Sequence, residues 1–313
     1  MQLSFLSIGL GGRKLRCSKA LEDISRVIPW QALCNIIQPY YPKGVGGRPA
    51  KPLMLMLKIH CLQQWYNLSD PAMEDAIYDR NSFQQFLGLD LLDETTVPDE
   101  TTILAFRHLL EKHKLGEEMF EGIRMFLEDE NLILKRGTIT DATIIRAPDG
   151  STKTREHQKD MSRTRKGSSF YFGMKAHIGV DAEGGLVHSL ECTTAKINDI
   201  EKFEDLLHGE EDAVFGDKGY AHQAIKQACR AMGVFYGILD KDERYRKLSS
   251  SQKKRNRKLS SIRAKVEHPF RIVKHVWGHN KTRYIGLEKN ANHMYVLFGL
   301  SNLYMARKKL CQS

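Results

Sequence analysis

The stretch Gly-Thr-Ile-Thr-Asp-Ala-Thr-Ile-Ile at residues 137–145 constrains this chain more than any other. Its density of β-branched residues predicts a strand, and a period of two puts Ile139, Asp141, Thr143 and Ile145 on one face. Aspartate is a poor strand former, and a buried carboxylate without a partner is costly. Asp141 therefore needs either nearby backbone amides or a cation.

That strand also marks a change of pattern along the chain. Before about residue 131 the periodicity is helical. An amphipathic helix is expected around Ile24, Val27, Ile28, Trp30 and Leu33, followed by a Gly/Pro-rich loop at 42–49. Residues 52–66 are apolar nearly all round and predict a buried helix. Ser69-Asp70-Pro71 sets a capping residue ahead of a proline, a strong helix start, and Asp99 opens a further helix carrying Ile103, Phe106, Leu109 and Leu110. Such a helical region suits either a helix-turn-helix-like reader with Arg107 and His108 as contacts, or a plain packing or dimerisation domain. Past residue 131, strands are expected at 137–145, 170–180, 186–194, 212–216 and 234–239, with helices at 199–207 and 221–232 and helices to the end. The second and third strands form a hairpin. Three strands in a row and then alternation predict a mixed α/β sheet with helices on its faces. The expected division is a helical domain at 1–130 and a sheet domain at 131–313.

Charge narrows the function class. The net charge is +10, and residues 241–283 alone hold 15 Lys plus Arg against 3 acids, a net of +12. A second basic window, 151–175, has 7 basic residues against 2 acidic ones. Excess charge so localised, and internal rather than in a tail, points to a polyanion such as nucleic acid. The cysteines at 17, 34, 61, 192, 229 and 311 are not spaced like zinc ligands or a redox pair, so reduced thiols are expected. No apolar run reaches the length of a membrane span, and apolar residues precede the first basic cluster, the reverse of a secretory signal. A cytoplasmic, nucleoid-associated protein is expected.

Two further acids stand out. Asp217 ends a core strand in Gly-Asp-Lys-Gly-Tyr, and strand ends are where α/β sheets place ligands, although Asp before Gly also suits a plain turn. Glu267 lies in the basic block, where Arg263, Glu267, Arg271 and Lys274 share a helix face beside an apolar face of Ile262, Val266, Phe270, Val273 and Trp277. An ordinary surface salt-bridge row reads the same way. Pro269 predicts a kink or a helix start close to Glu267. Together, three carboxylates on two strands and a helix form a donor set for Mg²⁺ or Mn²⁺, hard cations that prefer oxygen.

Asp141 in Thr-x-x-Asp-Ala-Thr-Ile-Ile, Asp217 in Gly-Asp-Lys-Gly-Tyr, and the Arg263, Glu267, Lys274 spacing resemble the DDE transposases of bacterial insertion sequences, the IS-five (insertion sequence five) group above all. Tyr41-Pro42, residues 59–61 and 64–70, and residues 106–111 resemble that group's N-terminal region, and residues 173–181 its second strand. The resemblance spans roughly residues 25–305. It implies an RNase H-like mixed sheet flanked by helices, preceded by an all-helical domain, with Asp141, Asp217 and Glu267 as the catalytic, metal-binding triad. Related families often carry tyrosine three residues before the arginine; here that residue is Ser260.

The resulting expectation is a transposase that uses two Mg²⁺ ions, with Mn²⁺ as a substitute, to cut double-stranded DNA at terminal inverted repeats and to join the freed 3′-hydroxyl to target DNA. Expected DNA contacts are Arg263, Lys274, Arg271, Lys253, Lys254, Arg255, Arg257, Lys258, Lys175 and His177. Because two ends must be paired, a homodimer or higher oligomer is expected. Tyr220 is expected to pack or touch DNA rather than act as a nucleophile. The rival readings are a transposase-derived DNA binder that does not cut, and another RNase H-like nuclease such as a junction resolvase.

Overall fold

In the computed structural model, the described residues are 15–43, 49–89, 97–149, 158–242 and 247–312. Most of the predicted loop at 42–49, part of the second basic window, and Arg244 and Arg246 lie outside them.

Seven α-helices of this first region can be followed: α1 (Arg16–Val27), α2 (Trp30–Ile37), α3 (Leu53–Tyr66), α4 (Asp70–Asp79), α5 (Asn81–Leu87), α6 (Glu100–Lys112) and α7 (Leu115–Asp129). The predicted caps form. Ser69 accepts from the Ala72 amide at 3.2 Å, and Asp99 from the Thr102 amide at 2.7 Å. The helix expected across Ile24 and Leu33 is instead two. Pro29 carries no amide proton and holds Ile28 extended (φ −81°, ψ 128°), which ends α1.

The rest is built on β1 (Gly137–Arg146), β2 (Ser162–Lys166), β3 (Ser169–Asp181), β4 (Val187–Thr194), β5 (Ala213–Gly216), α8 (Gln223–Ala231), β6 (Phe235–Ile238), α9 (Ser250–Arg263), α10 (Glu267–Arg271) and α11 (Leu287–Leu310). The six strands make one mixed sheet. β3 runs antiparallel between β1 on one edge and, end to end on the other, β2 and β4. β5 lies parallel to β1, and β6 parallel to β5. Three antiparallel strands followed by two parallel ones give the expected RNase H-like order.

Two elements differ from the sequence reading. β2 (Ser-Arg-Thr-Arg-Lys) has no apolar alternation and is held by backbone pairing to Ser169–Gly173 and by Ser162 Oγ, which accepts from the Lys196 amide at 2.8 Å. The helix expected at 199–207 is two short 3₁₀ turns, Asp199–Lys202 and Glu204–Leu206.

One apolar core joins the helical region to the sheet, with Leu33, Leu57, Leu62, Ile178, Leu297 and Phe298 all fully enclosed. α11 threads through it. Its Asn302 side chain donates to the Val187 carbonyl at 2.7 Å and accepts from the Val187 amide at 2.8 Å, clamping the helix to β4. Among the described residues no helix is long and apolar enough to cross a membrane.

Candidate active site

The sheet register brings the two aspartates together. Thr140 pairs with Gly216 across parallel strands, so Asp141 and Asp217 are the next residues on neighbouring strands. Those strands are about 4.8 Å apart. β5 stops at Gly216, so β1 continues without a neighbour on that side, and its burial loosens from Asp141 onward. The turn after β5 is built by its own residues. Asp217 Oδ1 accepts from the Gly219 amide at 2.7 Å, and a Cβ on Gly219 would sit 2.8 Å from that oxygen. Tyr220 then inserts into a smaller core against Phe203. Burial pushes its pKa far up, and its hydroxyl has no hydrogen-bond partner among the described residues, which fits packing and not nucleophilic attack.

The third acid arrives on the segment after α9. A 3₁₀ turn, Ala264–Val266, breaks the helix, and α10 begins at Glu267, two residues before Pro269. Val266, Phe270, Val273 and Trp277 are buried against the sheet and α11, as the apolar stripe predicts. The polar stripe meets β1 at Asp141 and Thr143, both half-buried. Arg263 Nη2 donates to Asp141 Oδ2 at 2.9 Å and stands 3.6 Å from Glu267 Oε1. Lys274 Nζ donates to Thr143 Oγ1 at 2.9 Å and to the Ile144 carbonyl at 3.0 Å. Asp141 and Thr143, two apart on one strand face, are thus taken by two cations of one helical segment.

Burial raises the Asp141 carboxyl above the usual aspartate range; Arg263 and the Ala142 amide pull it back, and Asp217 adds to the rise. Burial also works against charge on Arg263, but Asp141, Asp217 and Glu267 overcome it and leave its pKa raised. One guanidinium therefore serves three carboxylates, and the cluster keeps an excess of negative charge. Among the described residues no three His, Cys, Asp or Glu side chains already stand as a metal-binding group. The donor chemistry nevertheless fits a divalent cation: hard oxygens in excess, around a point where a positive group already sits.

The expected DNA contacts divide sharply. Lys253, Lys254, Arg257, Lys258 and Arg271 are exposed, and none has an ion-pair partner among the described residues. The others are engaged within the fold. His177 is fully buried, bonded to Thr193 Oγ1 at 2.8 Å, and burial lowers its pKa to about 4. Lys175 donates to the Ile197 carbonyl at 2.6 Å and to Asp199 at 2.9 Å. Arg255 staples α9 to the end of β6 through Tyr236 and Ile238 carbonyls and Asp240. Arg263 and Lys274 are committed to β1 as described, and Arg107 is held between Asp70 and Glu111. A charge count does not locate Asp70, Asp199 or Asp240, because each meets its cation through tertiary packing.

The sequence reading also missed a polar cluster where α3, α6 and α11 meet. His279 Nε2 donates to the Gln64 carbonyl and His293 Nε2 to Gln64 Oε1, each at 2.7 Å. His60 packs beside them, and all three histidines are buried. Only the polar residues inside an otherwise apolar helix 52–66 hinted at it.

Comparison with known proteins gives two family matches. A model described as "Transposase DDE domain" matches residues 133–303, more than half of the chain, and one described as "Transposase domain (DUF772)" matches residues 13–109. A solved structure titled "Crystal structure of the Mos1 Strand Transfer Complex" is similar at 10% identity over 78% of this chain and 82% of that one. Its TM-score is 0.20.

Proposed function

This chain belongs to the transposase DDE domain family, and from that premise we propose that it cuts double-stranded DNA at the ends of its own insertion sequence and joins them to target DNA. Membership of the IS-five group is part of the same reading, on the motifs quoted above. The observation that carries it is the convergence of Asp141, Asp217 and Glu267 on one guanidinium.

In this reading Asp141, Asp217 and Glu267 would hold two Mg²⁺ ions, or Mn²⁺ in their place. When bound, these supply an activated water and neutralise the leaving oxygen of the phosphodiester. The carboxylates are ligands, so no covalent protein–DNA bond is required. Arg263 pairs with Asp141 and lies close to Glu267, which brings these two acids toward one point. Lys274 fixes the helical segment against Thr143, so Glu267 is presented at a set height along β1. The exposed cations of α9 hold the DNA backbone, and a dimer or larger assembly pairs the two ends. The helical region, 1–130 in this division, serves end recognition or pairing.

The test is incubation of the purified protein with DNA carrying its gene's flanking ends, with Mg²⁺ and with EDTA, beside Asp141→Asn. Metal-dependent nicks at fixed end positions, absent in the variant, are expected. Tight, end-specific binding without cleavage under Mg²⁺ or Mn²⁺ would support the non-cutting DNA binder instead. That second reading draws on the Arg263–Asp141 ion pair, which already occupies one catalytic acid. Preference for branched DNA would favour a resolvase.

A further inference from the structure

A second cationic site lies beyond the acids, on the seam between the helical region and the sheet. Residues 278–283 form a strap across the end of β1. The Arg146 amide donates to the Asn280 carbonyl at 3.3 Å, and the Thr282 amide to the Arg146 carbonyl at 2.7 Å. On its other side the strap meets the turn after α3. Asn67 adopts a left-handed conformation there (φ 51°), and its Oδ1 accepts from Arg283 Nη1 at 2.5 Å. Between strap and turn opens a groove of about 610 Å³, lined by Asn67, Ser69, Asn280, Lys281, Thr282 and Arg283 among others, with no acid in the lining.

Lys281, Arg283 and Arg146 make no ion pair among the described residues; Arg146 instead stacks over the Tyr171 ring at 4.7 Å. Asp70 feels the charge of Arg283 but spends its oxygens on Gln63 and Arg107. Next to the seam, Lys274 has its pKa lowered by burial and then by the like charges of Lys166 and Arg146. Cations gathered this closely with no acid among them are set to receive an anion. The Thr282 hydroxyl, shielded from solvent and without a hydrogen-bond partner among the described residues, supplies a neutral donor beside them.

Position says which anion. Lys281 lies opposite Arg146, the last residue of β1, five residues beyond Asp141 on the same strand. At about 3.3 Å per residue the separation is about 17 Å, and a duplex advances about 3.4 Å per base pair. We propose that this groove is a second seat for the sugar–phosphate backbone of the DNA, about five base pairs from the phosphate held at the acids. Lys281 and Arg146 meet the phosphate charge, while Arg283, fixed by Asn67, links that seat to the helical region. The inference rests on the DNA-cutting reading above and adds a position along the duplex to it.

The experiment is fluorescence anisotropy with a labelled duplex of the gene's flanking end across a salt series, using the full chain, Lys281→Glu, Lys281→Arg, and Arg257→Gln with Lys258→Gln on α9. Ethylation interference is run on the same duplex. Lys281→Glu should weaken binding by roughly tenfold and lower the salt slope by about one contact or more, and Lys281→Arg should restore both. An ethylated phosphate about five steps from the cleavage position should interfere with wild type and lose its effect in Lys281→Glu. Unchanged affinity and slope in Lys281→Glu, beside a loss in the α9 variant, would overturn this seat and leave the DNA-cutting reading standing. A wild-type chain that binds no duplex would overturn both. A misfolded Lys281→Glu would show as a lowered melting temperature, and Lys281→Gln then takes its place in the same assays.

Discussion

Arg107 and Arg263 each sit among carboxylates, and they do opposite jobs. Arg107 bonds Asp70 at 3.0 Å and Glu111 at 2.6 Å, and lies 4.5 Å from the centre of the Tyr284 ring. Lys289 stands 3.6 Å from Glu111, so two cations face two acids. Arg263 bonds Asp141, nears Glu267 and is felt by Asp217, so a single cation faces three acids. The first cluster is closed and balanced, and works as a joint between helices. The second is open on the Glu267 side and negative. The acid left over, more than the presence of ionisable groups, separates a site from a structural knot.

The widest difference should appear with pH. Around the Arg107 joint, burial lowers His60 and His279 to about 4 and His293 well below its usual value. Folded, these imidazoles are neutral through the range where the unfolded chain takes up protons, from about 6.5 downward. The unfolded state then binds more protons, so stability is full above about pH 6.5 and is lost as pH falls toward 4. A single histidine moved that far is worth on the order of 3 kcal/mol. Urea midpoints measured between about pH 7 and 5 should fall steadily. A flat profile would mean that these rings are not held neutral, and the contrast would lose one side.

Next in size is Arg107→Ala. It leaves Asp70 and Glu111 without their main partner in a largely buried place, and removing one member of such a pair costs about 3–5 kcal/mol. Thermal unfolding reads this directly. A loss below about 1 kcal/mol would put Arg107 in the class of solvent-screened pairs, and would reopen its reading as a base contact.

How far the sequence showed these two clusters differs in a physically sensible way. Asp141 was legible because it interrupts a strand pattern that disfavours it, Asp217 because it ends a core strand, and Glu267 because a proline and an apolar stripe fix its helix face. Local capping at Ser69 and Asp99 was legible for the same reason: the signal spans three residues. The partners of Arg107, Lys175 and Arg255 were not, since Asp70, Asp199 and Asp240 join them only through tertiary packing. β2 was hidden because an edge strand paired on one side needs no apolar face. The split at Pro29 was in the sequence, but the helical spacing of its neighbours outweighed it.

The smallest effect on stability should come from Glu267→Gln, and it sharpens the comparison most. The Glu267 side chain is 64% exposed and 3.6 Å from Arg263, so solvent screens most of that attraction. The melting temperature should move by an amount equivalent to less than about 0.5 kcal/mol. End cleavage should nevertheless be lost, because removal of one carboxylate cuts the negative excess that distinguishes this cluster. Large destabilisation with cleavage intact would make Glu267 a structural acid like Glu111, and the two arginine clusters would then be the same kind of object.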